Sequence, residues 1–86
     1  MPVISRFYGI VIMMFFKDHN PPHFHAKYEG QIAVFDIRSR KILAGELPLQ
    51  AIKLIQTWAK QHEKKLLEDW DRAQNDKSLI PIQPLE

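Results

Sequence analysis

"PLQAIKLIQTWAKQHEKKLLEDWDRAQND", residues 48–76, marks the point at which the sequence pattern changes along the chain. The stretch has no glycine and no internal proline, and strong helix formers fill most of it. Pro48 suits the first turn of a helix, where its missing N–H is not needed. Residues that can form one buried stripe recur at spacings of three and four: Ile52, Ile55, Ala59, His62, Leu66, Trp70 and Ala73. The pattern predicts helix over residues 48–75 with a single face to bury.

The length of this helix is greater than a small domain accommodates. Taken as one helix, the stretch would be about 43 Å long at 1.5 Å per residue, whereas a domain of this size is roughly 30 Å across. Either the helix breaks near Gln61 and His62, or its end projects and packs on another chain. Trp58 and Trp70 would lie about 120° apart on a straight helix, so that one faces the sheet and the other a partner. We therefore expect a protein partner or a homo-oligomer formed through the 48–75 helix.

Upstream of the helix, the apolar residues come in short runs of β-branched and aromatic side chains. Such runs, separated by glycine, proline, asparagine and charged clusters, are typical of strands joined by tight connections. Four runs are predicted as strands: RFYGIVIMMFFK (6–17), HFHAKY (23–28), QIAVFDI (31–37) and KILAGEL (41–47). The first is apolar on both faces from Ile10 to Phe16, so we expect one central strand, bent at Gly9 and covered on both sides.

The connections between these runs are too short for crossover helices and allow antiparallel hairpins. The sequence therefore predicts an α+β fold: an antiparallel sheet of three to four strands followed by one long or two shorter helices. A chain of 86 residues suits one domain, residues 1–86. Within it we expect a strand-rich part (3–47), a helical part (48–75) and an extended tail (76–86).

Composition narrows the class of protein. The chain is 45% hydrophobic and 26% charged, as in ordinary globular domains. Absence of cysteine rules out disulfides and thiolate zinc sites and fits a reducing compartment. The longest apolar run, residues 9–16, falls far short of the roughly 20 residues of a membrane helix, and the first residues lack the pattern of a secretory signal. We expect a cytoplasmic protein that does not enter a membrane.

A small excess of positive charge, +2 at neutral pH, permits contact with nucleic acid without predicting it. The most basic turn holds Arg38, Arg40 and Lys41. No aromatic residue interleaves with these three, so the turn lacks the stacking groups of single-strand binders.

The segment "DHNPPHFHAKYEG", residues 18–30, concentrates three of the four histidines. In an extended strand His23, His25 and Lys27 would point to one face, because side chains alternate along a strand. Two imidazoles on one face are close enough to share a ligand. The segment is therefore the candidate functional site.

A metal site is the first hypothesis for these residues. Pro21 and Pro22 restrict the backbone and lower the entropy of bringing the preceding residues back towards the histidine pair. The candidate metal ligands are His23, His25, His19 and Asp18, with Asp36, Glu29 or water completing the shell. Without cysteine, imidazole and carboxylate ligands suit Zn²⁺ or Ni²⁺.

Two other hypotheses need no metal. Histidine titrates near neutral pH, so His23, His25 and His19 can serve as acid and base in RNA cleavage, with Lys27 stabilising the charged transition state. Alternatively, the histidines only brace the turn by hydrogen bonding to backbone that the prolines leave unpaired.

The segments "MPVISRFYGIVIMMFFKDHNPPHFHAKYEG", "FDI", "GELP" and "WAKQHEKKLLEDWDRA" resemble the small bacterial family numbered 4160 among the domains of unknown function. The motif that carries the resemblance is an acidic residue followed by His-x-Pro-Pro-His-Phe-His, here residues 18–25. The resemblance implies one domain with a shared site and supplies no reaction. It also implies a gene setting similar to two-gene modules of the toxin and antitoxin kind.

These observations give a ranked set of functions. The leading hypothesis is one component of a toxin-antitoxin-like module whose histidine site acts on RNA and whose helix binds a protein partner. The alternatives are a divalent-metal-binding protein without catalysis and an interaction module with structural histidines.

Overall fold

A computed structural model of the protein describes residues 2–86, which form an antiparallel sheet followed by two helices. The strands, in chain order, are β1 (Val3–Phe7), β2 (Ile10–Met13), β3 (His23–Tyr28), β4 (Gln31–Asp36) and β5 (Ile42–Gly45). Each strand pairs with the next, so the sheet order is β1-β2-β3-β4-β5. The helices are α1 (Leu49–Gln61) and α2 (Glu63–Gln74). The predicted α+β class is confirmed.

The prediction of three to four strands was wrong, because the run 6–17 is a hairpin rather than one bent strand. Tyr8 and Gly9 both have positive φ, 49° and 78°, as the two central residues of a type I′ turn require. This turn reverses the chain between β1 and β2 and adds a fifth strand. The expected cover on both sides holds for β2 itself, in which Ile10, Ile12 and Met13 are buried, but β2 ends at Met13 and Phe16 is 44% exposed.

Register along the sheet separates a buried face from an open one. Ala26 on β3 lies opposite Ile12 on β2 and Ala33 on β4, and all three are fully buried. One residue earlier on β3, His25 lies opposite Met13 and Val34. Because side chains alternate along a strand, His25 belongs to the face opposite to that of Ala26.

The two helices cover the buried face. Trp58 of α1 is fully buried, and its ring centroid lies 5.3 Å from that of Phe7 and 5.8 Å from that of Phe24. The helix breaks at His62, whose φ of −120° separates α1 from α2. The break near Gln61 and His62 is therefore confirmed, and it lets both helices pack on the same sheet.

This break also changes the interpretation of the two tryptophans. Trp70 of α2 is 7% exposed and lies against His23 of the chain's own sheet, not towards a partner. The stripe residues Ile55, Ala59, Leu66 and Ala73 are also buried. The expected partner-binding stripe is thus covered from within the chain.

The C-terminal residues 75–86 contain no helix or strand, yet they pack on the body of the protein. The backbone N–H of Ile82 donates to the carbonyl of Ile4 on β1 (2.7 Å), and Ile82 is 4% exposed. The indole N–H of Trp58 donates to the carbonyl of Gln83 (2.9 Å). The tail therefore closes one edge of the sheet. Within residues 2–86, none of the helices combines the length and the apolar character needed to cross a membrane.

Candidate metal centre

The loop between β2 and β3, residues 14–22, carries the first part of the histidine segment. Its position is fixed by the end of α2: the N–H of Lys17 donates to the carbonyl of Ala73 (3.2 Å), and the side-chain amide of Gln74 donates to the carbonyl of Asp18 (2.8 Å). Lys17 also forms an ion pair with Asp76 (2.9 Å). These contacts hold the loop against α2 and bring Asp18 next to the start of β3.

His23, the first residue of β3, is 7% exposed and has both ring nitrogens next to acceptors. Its Nδ1 lies 2.7 Å from the carbonyl oxygen of Pro21, and its Nε2 lies 2.9 Å from Oδ2 of Asp18. A neutral imidazole carries one N–H. A cation held between Nε2 and Asp18 would leave the Nδ1–H of His23 free to donate to Pro21.

His25 lies two residues further along the same strand, with its ring centroid 5.5 Å from that of His23. Its Nδ1 is buried and has no hydrogen-bond partner in the described part of the chain. Burial lowers the pKa of His25, and the nearby His23 lowers it further, against a smaller opposing effect of Asp18. His25 is therefore neutral at neutral pH, the form in which imidazole binds metals.

Asp18 supplies the carboxylate of the cluster. Partial burial acts to raise its pKa, but the N–H of His19 and the ring of His23 outweigh burial, and the pKa of Asp18 falls below its usual value. Its side chain is 21% exposed. Asp18 is thus ionised at neutral pH and can act as an anionic ligand.

The three side chains form one compact donor set. One ligand atom from each of Asp18, His23 and His25 lies within 4.8 Å of the other two. Zinc–nitrogen and zinc–oxygen bonds are about 2.0–2.2 Å long, so two ligands on one tetrahedral ion lie about 3.3–3.6 Å apart. The 2.9 Å separation of Nε2 of His23 and Oδ2 of Asp18 is a hydrogen-bond distance, from which a small movement reaches that spacing. The residues present therefore suit a first-row divalent ion.

A pocket of about 410 Å³ opens over this set. The three donors line it together with polar residues of the loop and apolar residues of β4 and β5, namely His19, Asn20, Pro21, Val34, Leu43 and Ala44. The donor set is therefore reachable from solvent on one side. On the other side the ring of Trp70 lies 5.0 Å from the ring of His23, and that of Phe15 lies 4.4 Å from His25.

The remaining residues predicted for the site lie at its rim or away from it. The His19 side chain is 92% exposed, with its Nδ1 3.1 Å from Oδ1 of Asp18. Lys27 is exposed on β3, beyond His25 on the same face. Asp36 pairs with His23 across the sheet, but its Oδ1 accepts the N–H groups of the following turn. Glu29 lies in the turn at the far end of β3.

Three contributors to the site were missed by the sequence argument: Phe15, Trp70 and Gln74. Trp70 and Gln74 are four residues apart on α2, which places them on one face of that helix. That spacing is visible in the sequence, but nothing in it indicates that this face meets the histidine loop. The contact depends on how α2 turns after the break at His62.

A family model described as "Domain of unknown function (DUF4160)" matches residues 9–71 of the 86. The match includes the loop, β3 and most of both helices, and so covers Asp18, His23 and His25. Neither the curated proteins nor the solved structures contain a match to the chain.

Proposed function

The chain belongs to the family of domains of unknown function DUF4160, and since that family has no assigned activity, we propose a function from the residues themselves: the protein binds a divalent metal ion, Zn²⁺ or Ni²⁺, through Asp18, His23 and His25. One observation carries the proposal. His23 has its Nδ1 on the carbonyl of Pro21 while its Nε2 faces Asp18 and lies beside His25. Metal-bound histidines almost always donate their second N–H to a carbonyl or carboxylate in this way.

The Pro-Pro pair gives the local reason for this geometry. Pro22 contributes no N–H, and the carbonyl of Pro21 is directed at His23, two residues away. An Nδ1–H donated to this carbonyl would fix the ring plane with Nε2 towards Asp18, which lowers the cost of ordering the ligand when the ion binds. The prolines therefore support preorganisation of the site.

Charge also favours a cation here. The ionised carboxylate of Asp18 and the neutral ring of His25 both suit a cation in the donor set. Three protein ligands leave at least one coordination position open, as in catalytic rather than structural zinc sites. The pocket over the donor set can admit water or a small ligand to that position, and the exposed ring of His19 is close enough to approach it.

The proposal is tested by titrating untagged protein with Zn²⁺ and with Ni²⁺ in a calorimeter. The wild type is expected to bind one ion, and His23→Ala/His25→Ala is expected to lose at least about a hundredfold in affinity. His19→Ala is the matched control, because it removes an exposed imidazole and is expected to change affinity by less than about tenfold. Equal affinities of the wild type and the double variant would reject the site.

Folding of the double variant must be measured together with binding. Because His23 is buried, its replacement lowers the free energy of unfolding as well. Far-ultraviolet circular dichroism shows whether the double variant is folded under the titration conditions. Loss of binding by a folded variant supports the metal site, whereas a variant that unfolds with no metal bound by the wild type supports histidines that only brace the turn.

A toxin-antitoxin-like role in which the site acts on RNA is a second candidate. The observation that favours it is the contact of two imidazoles with one carboxylate: His19 and His23 both touch Asp18, and their ring centroids are 6.1 Å apart. Such a set can supply an acid and a base, with Lys27 nearby on β3. In this candidate the protein works in the cytoplasm and binds a protein partner or a second copy through its helices.

This second candidate has its own test. Induced alone in a bacterial host, the protein is expected to slow growth and to cleave RNA, and Asp18→Asn is expected to abolish both effects. Normal growth and intact RNA would reject the toxin role. Activity that persists in a chelator would favour chemistry without metal.

A further inference from the structure

A groove far from the histidine loop runs beside α1. It has a volume of about 800 Å³, which is within the range of ligand-binding clefts. Its walls include two tyrosines, one lysine and three uncharged polar side chains: Tyr8, Tyr28, Lys53, Gln50, Thr57 and Gln61. This combination of aromatic, cationic and hydrogen-bonding groups is not explained by packing of the core.

The two tyrosines meet at the β1–β2 turn. Tyr8 is 60% exposed, and its φ of 49° lies in the left-handed region, which is unusual for a bulky side chain. The Tyr28 ring lies beside Gly9, 3.6 Å from where a Cβ would stand there. The turn thus displays one exposed ring next to a second, half-buried one.

The charged side chains of the helix that forms the other wall are all cationic. Helix α1 contains Lys53 and Lys60 and no acidic residue. Neither lysine forms an ion pair with any residue from 2 to 86. Uncompensated lysines on one helix face create a local positive potential despite the small net charge of the chain.

A second groove, of about 490 Å³, extends this surface. It shares Lys53 and Thr57 with the first groove and adds Lys60 and Arg40. The guanidinium of Arg40 is paired with Glu63 at 2.9 Å, so the two lysines supply most of the free charge. The basic β4–β5 turn, which lacks aromatic neighbours in the sequence, is therefore connected by α1 to a pair of tyrosines.

From this arrangement we propose that the tyrosine and lysine surface beside α1 binds single-stranded nucleic acid. Strands of this kind are held by aromatic rings on which bases stack and by cations along the backbone. Lys53 and Lys60 are seven residues apart on α1, or about 10 Å along the helix, a spacing that two phosphates of one strand can match. The side-chain amides of Gln50 and Gln61 can hydrogen bond to base edges, whereas an apolar protein surface would leave them unpaired.

One wall residue opposes an anion. Glu86 also lines the groove, where its carboxylate repels phosphate. It supplies a variant with the opposite expected sign: Glu86→Gln is expected to tighten binding. No described residue belongs both to these grooves and to the pocket over Asp18, His23 and His25. The proposal therefore goes beyond metal binding and does not depend on it.

The test is fluorescence anisotropy of a labelled oligouridylate of about ten nucleotides, a length within the site sizes of single-strand binders. The oligonucleotide is titrated with the full chain in a chelator, at several salt concentrations. The wild type is expected to bind it with a dissociation constant below about 100 μM at low salt. Lys53→Gln/Lys60→Gln is expected to weaken binding at least about tenfold and to reduce the salt slope by about 1.4, because two phosphate contacts are lost.

Matched variants separate this site from general charge attraction. Lys64→Gln/Lys77→Gln removes two exposed lysines, one on α2 and one in the C-terminal segment, that line neither groove, and it is expected to leave affinity nearly unchanged. Tyr8→Ala is expected to weaken binding about tenfold, while Tyr8→Phe keeps the stacking ring and the wild-type affinity. All of these side chains are exposed, so the variants should fold, and their melting curves provide the check.

Four results would overturn the proposal. The first is no binding up to about 100 μM protein at low salt, and the second is equal binding by the wild type and the Lys53→Gln/Lys60→Gln variant. The third is equal binding of a duplex of the same length. The fourth is binding of uridine monophosphate as tight as that of the oligonucleotide. The third result would indicate attraction to any polyanion. The fourth would indicate a site for a free nucleotide rather than a strand.

Discussion

Asp18 and Asp69 are two carboxylates packed against the same protein body, and they have opposite surroundings. Asp18 accepts the N–H of His19 and lies 2.9 Å from the ring of His23, and its pKa is lowered. Asp69 on α2 is 1% exposed and accepts only the N–H of Ile80 from the tail. Its Oδ2 has no hydrogen-bond partner in the described structure, and burial raises its pKa. Only Asp18 is therefore equipped to remain charged and to bind a cation.

The comparison distinguishes a site from a structural contact. Asp18 is partly open to a pocket and has two imidazoles beside it. Asp69 holds the tail to α2 and has no second donor group of the metal-binding kind near it in the part of the chain described. A buried carboxylate alone is thus not evidence of function. The hydrogen bonds that keep it ionised are the informative feature.

The largest expected effect is on metal affinity. Asp18→Asn is expected to lower the affinity for Zn²⁺ by about a hundredfold, or about 2.7 kcal/mol, because the anionic ligand is lost. Asp69→Asn is expected to leave it unchanged. Competition with a chromophoric chelator measures both. Equal affinities of the two variants would remove the distinction between the carboxylates.

The next effect concerns the residue that positions Asp18. Gln74→Ala removes the amide that donates to the carbonyl of Asp18. It is expected to weaken Zn²⁺ binding about tenfold, as outer-shell substitutions do, with a small loss of stability. Asn75→Ala is a neighbouring control, because the Asn75 side chain bonds only within its own helix end, to Asp71. A Gln74→Ala affinity no lower than that of Asn75→Ala would show that α2 does not position the loop.

Substitution of Asp69 should change the stability of the protein rather than its metal affinity. Asp69→Asn keeps an oxygen to accept the N–H of Ile80 and removes a buried carboxylate, so it is expected to stabilise the protein at neutral pH by about 1 kcal/mol. For a chain of this size that corresponds to an increase in Tm of about 4–8 °C. Asp18→Asn should lower Tm in the absence of metal. Scanning calorimetry would contradict the account if Asp69→Asn lowered Tm.

The pH dependence of Asp69 gives the smallest effect. Its pKa in the folded protein is above the unfolded value of 3.8, so the folded state binds more protons between those two values. Stability linked to this group is full below pH 3.8 and is lost as pH rises through the folded pKa. The Tm advantage of Asp69→Asn over the wild type should therefore grow from acidic to neutral pH. An advantage that shrank with rising pH would contradict the assignment.

Parts of this molecule are predictable from the sequence because local patterns determine them. Strands β3 and β4 follow from short runs with aromatic or β-branched residues between turn signals, and the break near His62 follows from a helix too long for the domain. The β1–β2 hairpin is not predictable in this way, because its turn uses Tyr8 where asparagine, aspartate or glycine is expected. The strand count was wrong for that reason alone.

The candidate site is likewise only partly predictable from the sequence. Spacing in the sequence places His23 and His25 on one face, because strand periodicity is local. The approach of Asp18, the support from Gln74 and the contact of Trp70 depend on how α2 packs on the loop. The contacts of Gln74 with Asp18 and of Trp70 with His23 join residues about fifty positions apart, and no local rule gives them. The exposure of His19 was hidden for the same reason.

The central claim is that His23 donates through Nδ1 to Pro21 and keeps Nε2 for a metal ion. It is tested most directly by recording the imidazole nitrogen resonances of ¹⁵N-labelled, untagged protein before and after one equivalent of Zn²⁺. The account predicts that His23 keeps its Nδ1–H in both states and that Zn²⁺ shifts Nε2 of His23 together with one ring nitrogen of His25. Zinc that left both rings unchanged, or that shifted only His19, would contradict it.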